Sequence, residues 1–154
     1  MLEPLKQFIC DSCHQVIETI DEGWVEWISK RNDADDRWVT SDHRICHHNG
    51  RCQRLMNREG ISDVPLRYFM DDYTMPQLLG FLDVGVHFIE NFKAPTPENM
   101  RDFVNFMRRF TIPYYEEARQ YLSRARSESY GDSNEIHFYL PKTLKAIIEE
   151  YSNE

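Results

Sequence analysis

The sequence predicts an α+β protein with a β-rich N-terminal module, residues 1–58, and a helical part, residues 61–154, that forms a bundle of about four helices. The first part contains short runs of Trp, Val, Ile and Thr between turn formers, whereas the second repeats apolar residues at helical spacing. In addition, all four cysteines lie within the first 52 residues. The sequence leaves open whether the two parts form one integrated domain.

Composition and charge narrow the class of protein. The chain has 154 residues, of which 41% are apolar and 29% charged, as is typical of a soluble globular protein. Its start lacks the apolar run of a signal peptide, and no stretch reaches the roughly 18 apolar residues of a membrane span, so we expect a cytoplasmic protein with no membrane association. With 18 Lys and Arg against 26 Asp and Glu, the net charge is −8, which opposes non-specific binding to nucleic acid.

Short strands joined by turns are predicted for the N-terminal module. The stretch "QFICDSCHQVI" contains an apolar strand, a Cys-x-x-Cys turn and a second strand. The runs "GWVEWIS", from Gly23, and "RWVTSDHRICH", from Arg37, favour a hairpin with a polar loop. The segment after them is typical of a short helix that ends at Gly60.

The helical part begins with its most apolar segment. "TMPQLLGFLDVGVHFIENF" opens with Thr74 and Pro76, which suit a helix N-terminus, and its apolar residues cover more than one stripe, so we expect a central helix. The segment "TPENMRDFVNFMRRF" predicts a helix with Thr96 as its N-cap and Pro97 at its first position. Apolar residues at helical spacing mark its core face: Met100, Phe103, Val104, Met107 and Phe110.

Two further helices complete the predicted bundle. "PYYEEARQYLSRARSE" predicts a helix from Pro113, with Glu116 and Glu117 near its start and arginines near its end, which matches the helix dipole. The segment "PKTLKAIIEEY" predicts a short terminal helix. Its core face consists of Leu144, Ile147, Ile148 and Tyr151.

The cysteines and histidines of the N-terminal module predict a zinc site. A structural zinc ion takes four tetrahedral ligands from cysteine and histidine, and the turn from Cys10 to Cys13 supplies two of them. The other ligand-rich stretch is "HRICHHNGRC", in which Cys52 follows His47 by five positions and His48 by four. Such gaps match zinc modules, because the chain turns between the two ligands. We therefore expect one structural Zn²⁺.

The fourth ligand is a choice among three neighbours, Cys46, His47 and His48. Successive side chains of a strand point to opposite faces, so His47 and either neighbour are not expected to bind together. We rank His47 first, then His48, then Cys46, which also suits the role of a small buried apolar residue. The predicted metal ligands are Cys10, Cys13, His47 and Cys52, with His48 or Cys46 as substitutes for His47.

These residues resemble the zinc-ribbon and treble-clef modules, which combine a Cys-x-x-Cys knuckle, a hairpin and a second ligand pair from a distant turn. The resemblance covers residues 8–58 and implies a structural metal; it departs from the commonest pattern because the second pair is not another Cys-x-x-Cys. The chain is also similar to small uncharacterised bacterial proteins that join such a knuckle to a "GWVEW"-like strand and an "I-x-H-H" strand end. In that comparison His47 takes the ligand position.

Two other patterns in the sequence are compatible with redox activity, catalysis or metal binding. Cys10 and Cys13 match a redox pair, but such pairs stand at a strand-to-helix junction, which the surrounding sequence does not predict. Asp83, His87 and Glu90 share one helix face and would suit a catalytic or metal-binding trio, although the polar stripe of a half-exposed helix explains them better. The sequence contains no nucleophile elbow, phosphate-binding loop or zinc-protease motif.

The expected function is that of a non-catalytic protein with a structural zinc site, a protein-binding adaptor or regulator. One alternative is a zinc-ribbon regulator that binds nucleic acid through Arg51, Arg54 and Arg58, which recur at helical spacing after the zinc ligands. A third candidate is a metalloenzyme with an open zinc site, which needs only three protein ligands and a water. We expect no catalytic residues and favour a protein partner, because the net charge disfavours nucleic acid.

Overall fold

The structure, a computed structural model, describes residues 1–34, 36–54, 60–83, 85, 96–132 and 134–152. These residues form six strands and six α-helices, which confirms the predicted α+β class. Five strands precede the first helix, and five helices follow the last strand. Within this part of the chain, none of the helices combines the length and the apolar character that crossing a membrane requires.

The central element is a four-stranded sheet. β3 (Gly23–Asn32) and β4 (Arg37–His47) form a long antiparallel hairpin, as the sequence predicts. β5 (Ile61–Pro65) pairs antiparallel with the other edge of β3, and the two-residue strand β6 (Thr96–Pro97) lies parallel to β4. The strand order is therefore β5-β3-β4-β6.

A second, two-stranded sheet carries the Cys-x-x-Cys turn. β1 (Phe8–Ile9) pairs antiparallel with β2 (Val16–Ile17). Two strands of two residues each bury too little to be stable alone, because an isolated hairpin is marginal in water even when it is longer. The turn between them is therefore held by contacts with other elements.

A bulge interrupts the β3–β4 hairpin. The pairing shifts between Glu26 and Ile28, so that Trp27 alone faces two residues of β4, Asp42 and His43. Asp42 adopts a φ of 52° there, a left-handed conformation that few residues other than glycine adopt. Because the extra residue shifts the alternation of side chains, it changes which of the following residues of β4 face the core.

Most of the helices are short, and the last agrees best with the prediction. They are α1 (Thr74–Gly80), α2 (Met100–Thr111), α3 (Tyr115–Ala118), α4 (Leu122–Glu128), α5 (Glu135–Phe138) and α6 (Pro141–Tyr151). In α6 the four predicted core residues, Leu144, Ile147, Ile148 and Tyr151, are all buried.

The helix predicted to start at Thr96 begins later in the chain. Thr96 and Pro97 instead form β6 beside β4, where Pro97 is buried. The N-cap of α2 is Asn99, whose side chain accepts hydrogen bonds from the amides of Arg101 and Asp102. The predicted N-cap is wrong because the sheet binds the backbone at Thr96 before the helix begins, and Asn caps a helix as well as Thr does.

The segment predicted as one helix from Pro113 forms two helices, α3 and α4. Between them the amide of Tyr121 donates to the carbonyl of Ala118, three residues back rather than four. This tighter turn ends α3 after four residues and redirects the chain before α4 begins.

Two other predicted helices are described only in part. The apolar segment from Thr74 begins with α1, which ends at Gly80. Residues 84 and 86–95, which include His87 and Glu90, lie outside the described residues, as do residues 55–59 of the short helix predicted to end at Gly60.

The largest apolar cluster joins both sheets to α2. On the helix, Phe106 is buried although the predicted core face leaves it out, whereas Met100, which that face includes, is exposed. Two smaller clusters lie where α6 packs against α3, α4 and α5. The large cluster includes Phe8, Ile17, Val25, Ile45, Leu66, Phe69, Phe103, Phe106 and Phe110.

Candidate metal centre

The first half of the candidate site is the turn that joins β1 to β2. Cys10 follows β1 and Cys13 lies in the turn, which is closed by hydrogen bonds from the Cys10 amide to the Gln15 carbonyl (2.9 Å) and from the His14 amide to the Cys10 carbonyl (2.9 Å). His14 takes a left-handed conformation with a φ of 60°. The backbone therefore turns sharply enough to direct both sulfur atoms to the same side.

The second half of the site lies at the end of β4 and in the turn that follows. His47 is the last residue of β4, and Cys52 lies five residues further on. The Asn49 side chain accepts hydrogen bonds from the amides of Arg51 and Cys52, both at 3.0 Å, and so shapes this turn. The Ser12 hydroxyl donates to the Cys52 carbonyl at 2.6 Å, which connects the two halves.

Four ligand atoms converge between these turns: the sulfur atoms of Cys10, Cys13 and Cys52 and a ring nitrogen of His47, all within 4.8 Å of one another. The Cys13 Sγ to His47 Nδ1 distance is 3.4 Å. Ligand atoms on a tetrahedral zinc ion are separated by about 3.5 to 3.8 Å, given the usual zinc–sulfur and zinc–nitrogen bond lengths. This Cys₃His cluster (Cys10, Cys13, His47 and Cys52) has the spacing that holds a metal ion.

The orientation of the His47 ring suits a metal ligand. Its Nε2 atom lies 3.2 Å from the Val16 carbonyl oxygen, while Nδ1 faces the cysteine sulfur atoms. A proton on Nε2 that is donated to this carbonyl leaves Nδ1 with a free electron pair. The backbone of β2 thus selects the tautomer in which His47 can bind a cation from within the cluster.

The other two candidates for the fourth position lie elsewhere. The His48 ring stacks on Trp24, with 4.0 Å between ring centroids. Cys46 is fully buried in the large apolar cluster, and this burial raises the pKa of its thiol to about 12. Of the three neighbours, His47 is therefore the one that the structure places with the three cysteines.

The two buried thiols of the cluster differ in acidity. Burial raises the pKa of Cys10, but hydrogen bonds from the backbone amides of Cys13, His47 and Ser12 outweigh it and lower that pKa to about 6. The pKa of Cys52 is raised to about 11 by burial and by its contacts with Cys13 and Cys10. Negative charge therefore concentrates on Cys10, and a cation bound by the cluster would displace the proton of Cys52.

A half-buried carboxylate holds the Cys-x-x-Cys turn in place. Asp11, between the two cysteines, accepts hydrogen bonds from the amide of Ile45 (2.8 Å) and from the guanidinium groups of Arg109 and Arg119. Burial raises the pKa of Asp11, but the charge and hydrogen bonds of Arg109 outweigh it, so that the net shift lowers this pKa. The turn is thus bound to β4, to α2 and to the residue that follows α3.

The same arginine forms a buried ion pair with Glu116 of α3. Arg109 and Glu116 are each 5% exposed, and the Arg109 Nε to Glu116 Oε2 distance is 2.7 Å. Both also bind the backbone of Ile9 in β1: the Ile9 amide donates to Glu116 Oε1 at 2.8 Å, and Arg109 Nη2 donates to the Ile9 carbonyl at 3.0 Å. α2 and α3 therefore hold the strand that leads into Cys10.

This network is not predicted by the sequence patterns, in which Glu116 matches the helix dipole. One local signal does point to Arg109. Arg109 follows Phe106 by three positions and precedes Phe110 by one, so it lies within the apolar face of α2. A charged residue within an apolar helix face is rarely buried unless it is paired.

Of the three arginines that could bind nucleic acid according to the sequence, two lie within the described residues. Arg51 is exposed. Arg54 forms an ion pair with Asp42, and its amide donates to the buried carboxylate of Glu26. Arg58 lies outside the described residues.

Comparison of the chain with known protein families, with curated proteins and with solved structures finds no match.

Proposed function

We propose that the Cys₃His cluster binds one structural Zn²⁺ and that the protein is a non-catalytic adaptor or regulator that acts by binding another protein. The convergence of four ligand atoms from two distant turns to within 4.8 Å is the observation that carries the proposal. Three thiolates and one imidazole are a soft donor set, typical of tetrahedral zinc sites.

The fold explains why a metal is needed at this position. β1 and β2 have two residues each, and the turn between them projects from the edge of the apolar core, where Cys13 is exposed. Zinc bound by two turns contributes free energy of folding directly, because the unfolded chain does not hold the four ligands together.

A structural role is favoured over a catalytic one by the number of protein ligands. Catalytic zinc keeps a coordination position for water or substrate, whereas four protein ligands fill the tetrahedron. The four atoms of the cluster meet that number, which supports a structural site rather than a metalloenzyme.

A protein partner is favoured over nucleic acid by charge. The chain carries a net charge of −8, and the guanidinium of Arg54 is already paired with Asp42. Nucleic-acid binding requires that basic side chains neutralise phosphates, so an arginine that is engaged with a carboxylate contributes less to it.

The zinc proposal is tested by metal analysis of the purified chain and two cysteine variants. We expect one zinc per chain in the wild type, loss of zinc in Cys13→Ser, and one zinc in the control Cys46→Ala, which removes a thiol outside the cluster. Cys13 is exposed, so its substitution removes no side chain from the apolar core. Cobalt substitution should give the absorption of three thiolate ligands. Retention of zinc by Cys13→Ser at unchanged affinity would refute the ligand set.

The histidine is tested with a matched pair of variants. His47→Asn should weaken zinc binding by at least tenfold, whereas His48→Asn should bind zinc as the wild type does, because His48 stacks on Trp24 outside the cluster. Competition with a chromophoric chelator measures both affinities. The opposite result would move the fourth ligand to His48.

The partner is tested on the zinc-loaded chain. We expect no binding of labelled DNA or RNA at micromolar protein and low salt. We also expect a protein partner to co-purify in a fixed ratio with the wild type, even after nuclease treatment, and not with Cys13→Ser. Salt-sensitive binding to nucleic acid that Arg51→Gln abolishes would support the alternative regulator instead.

A further inference from the structure

The four cysteines of the chain differ in their exposure to solvent. Cys13 is exposed, whereas Cys10 and Cys46 are fully buried and Cys52 is 6% exposed. All four are free thiols. Oxidation of a cysteine follows its exposure as well as its thiolate character. An oxidant dissolved in water therefore reaches Cys13 before it reaches the other three.

Two further sulfur atoms lie beside that of Cys13. The Sγ atoms of Cys10, Cys13 and Cys52 are all within 4.8 Å of one another. A disulfide bond is about 2.05 Å long, so two of these sulfur atoms need to approach by at most about 3 Å to form one, a distance that side-chain rotation can cover. The cluster therefore combines one accessible thiol with two thiols that can react with it once it is oxidised.

Of these two neighbours, Cys10 is the one that stays close to Cys13 when no metal is bound. Both belong to one turn, which the hydrogen bond from the His14 amide to the Cys10 carbonyl closes at 2.9 Å. Cys52 belongs to the other half of the site, and a metal ion would bridge the two halves. Without that bridge Cys10 and Cys13 are still only three positions apart, so closing a ring between them costs less chain entropy than joining Cys13 to Cys52.

We propose that Cys13 and Cys10 are a site of reversible oxidation by a peroxide, and that the disulfide between them releases the zinc ion from the Cys₃His cluster. The proposal rests on the proposed function, because it takes the cluster to be zinc-loaded in the reduced chain. It assigns the site a form of regulation: a peroxide converts the zinc-bound state into a zinc-free state, and a reductant restores it.

The oxidation has two steps. First, the Cys13 thiolate attacks one oxygen of hydrogen peroxide: a sulfur–oxygen bond forms, the oxygen–oxygen bond breaks and hydroxide leaves, so that Cys13 becomes a sulfenic acid. Second, the Cys10 thiolate attacks the Cys13 sulfur: the sulfur–sulfur bond forms, the sulfur–oxygen bond breaks and a second hydroxide leaves. Two thiolates thus lose two electrons in total, and these reduce one hydrogen peroxide to two hydroxide ions.

The disulfide changes the metal site and, through it, the fold. Only His47 and Cys52 remain as ligands, and two ligands do not complete the tetrahedron of a structural zinc ion. Release of zinc removes the bridge between the β1–β2 turn and the end of β4, so partner binding that depends on zinc is lost with it. A dithiol reductant reverses the change, because its thiolate attacks the disulfide, its own disulfide forms and both cysteines return as thiolates.

The proposal is tested on the full chain after its zinc content has been measured. Hydrogen peroxide is added in small molar excess, a chromophoric chelator follows the release of zinc, and alkylation with peptide mapping locates the disulfide. We expect one zinc released per Cys10–Cys13 disulfide, with Cys46 and Cys52 still reduced, and we expect dithiothreitol with added zinc to restore the zinc-bound state. A chain without zinc before peroxide is added refutes the proposed function as well. Zinc that stays bound, or a disulfide that includes Cys52, overturns this proposal alone.

A matched pair of variants identifies the reactive thiol. Cys13→His and Cys52→His each replace one cysteine of the cluster by another zinc ligand, so that four ligands remain. Cys13→His should release zinc at least tenfold more slowly than the wild type under the same peroxide, because its remaining cluster thiols are buried. Cys52→His keeps Cys10 and Cys13 and should release zinc nearly as fast as the wild type. Equal rates in the two variants overturn the proposal.

A third variant, Cys46→Ala, serves as the control for the loss of a thiol outside the cluster, and it should release zinc as the wild type does. If Cys52→His does not fold, the comparison of Cys13→His with Cys46→Ala takes its place, and equal rates again overturn the proposal. If Cys13→His does not bind zinc, the peptide map of the wild type decides, and absence of the Cys10–Cys13 disulfide overturns it.

Discussion

The first strands and the last helix of this chain are held in place in opposite ways. β1 and β2 contain two residues each, and the turn between them carries two of four converging ligand atoms. α6 contains eleven residues and buries four large apolar side chains. Full burial of one such side chain contributes about 1.5 to 3 kcal/mol. The end of the chain is thus stabilised by apolar surface removed from water, whereas the start, where Phe8 and Ile17 are also buried, is expected to depend in addition on a metal bound by the cluster.

The four-residue helix α3 connects these two regions. Glu116 on one side binds the backbone of Ile9 in β1, while Tyr115 and Ala118 belong to the apolar cluster under α6. One side of α3 is therefore stabilised by charge and the other by packing. Variants that act on one region only can show how far the two are coupled.

The largest expected effect is that of metal removal. A high-affinity chelator under reducing conditions should abolish hydrogen-exchange protection in β1, β2 and the end of β4, because structural zinc contributes on the order of 10 kcal/mol to folding. The amides of α6 should keep more of their protection. Hydrogen exchange followed by mass spectrometry measures both regions at once, and unchanged protection of β1 would contradict the metal-dependent picture.

The second expected effect concerns the connection between the regions. Arg109→Met leaves the buried Glu116 carboxylate without its main partner, so we expect a loss of about 3 to 5 kcal/mol in the free energy of unfolding. Adding Glu116→Leu should recover part of that loss, because no unpaired charge then remains at this position. Urea denaturation of both variants, with zinc present, provides the measurement. A double variant less stable than Arg109→Met would show that the pair itself is strongly stabilising.

A third effect isolates the packing of α6. Ile148→Ala should lower the free energy of unfolding by about 2 to 4 kcal/mol through a cavity in the apolar cluster, while the chain keeps its zinc. Ile136 is 74% exposed, so Ile136→Ala is the matched control and should change stability little. Loss of zinc in Ile148→Ala would show that the two regions are more tightly coupled than their separate contacts indicate.

The smallest expected effect is a dependence of the unfolding free energy on pH that arises from His43 in the large apolar cluster. Burial among Phe81, Phe103 and Phe106 lowers the pKa of His43 from 6.5 to about 4, despite the nearby charge of Asp42. The unfolded chain then binds a proton that the folded chain does not, so stability present above pH 6.5 is lost as the pH falls towards 4.

Substitution of His43 by Phe should remove this contribution. Between pH 8 and pH 5, the difference in unfolding free energy between the wild type and His43→Phe should change by about 2 kcal/mol, to the disadvantage of the wild type. Acid release of zinc affects both proteins equally and cancels in the difference. An identical pH dependence of the two proteins would show that His43 titrates normally.

Several elements could be predicted from local sequence. The hairpin of β3 and β4 follows from two β-prone runs around a polar loop, and α6 follows from its apolar period. The start of α2 could not, because β6 exists through its pairing with β4, far away in the chain. The split into α3 and α4 was also missed, since a four-residue helix has too few residues to show a period.

The candidate site shows the same division. The grouping of Cys10, Cys13, His47 and Cys52 could be anticipated, because ligand spacing on two tight turns is a local property. The ion pairs of Arg109 could not, since the residues it contacts in the Cys-x-x-Cys turn are about a hundred positions away in sequence.

The sequence by itself determined the fold class, the hairpin, α6 and the set of candidate ligands, because period and spacing are written in neighbouring residues. The tertiary structure alone decided that His47 rather than His48 or Cys46 faces the three cysteines, and that Arg109 and Glu116 are buried partners. The reason is physical: the burial and pairing of a charged or ligating side chain depend on groups that only folding brings within hydrogen-bond distance.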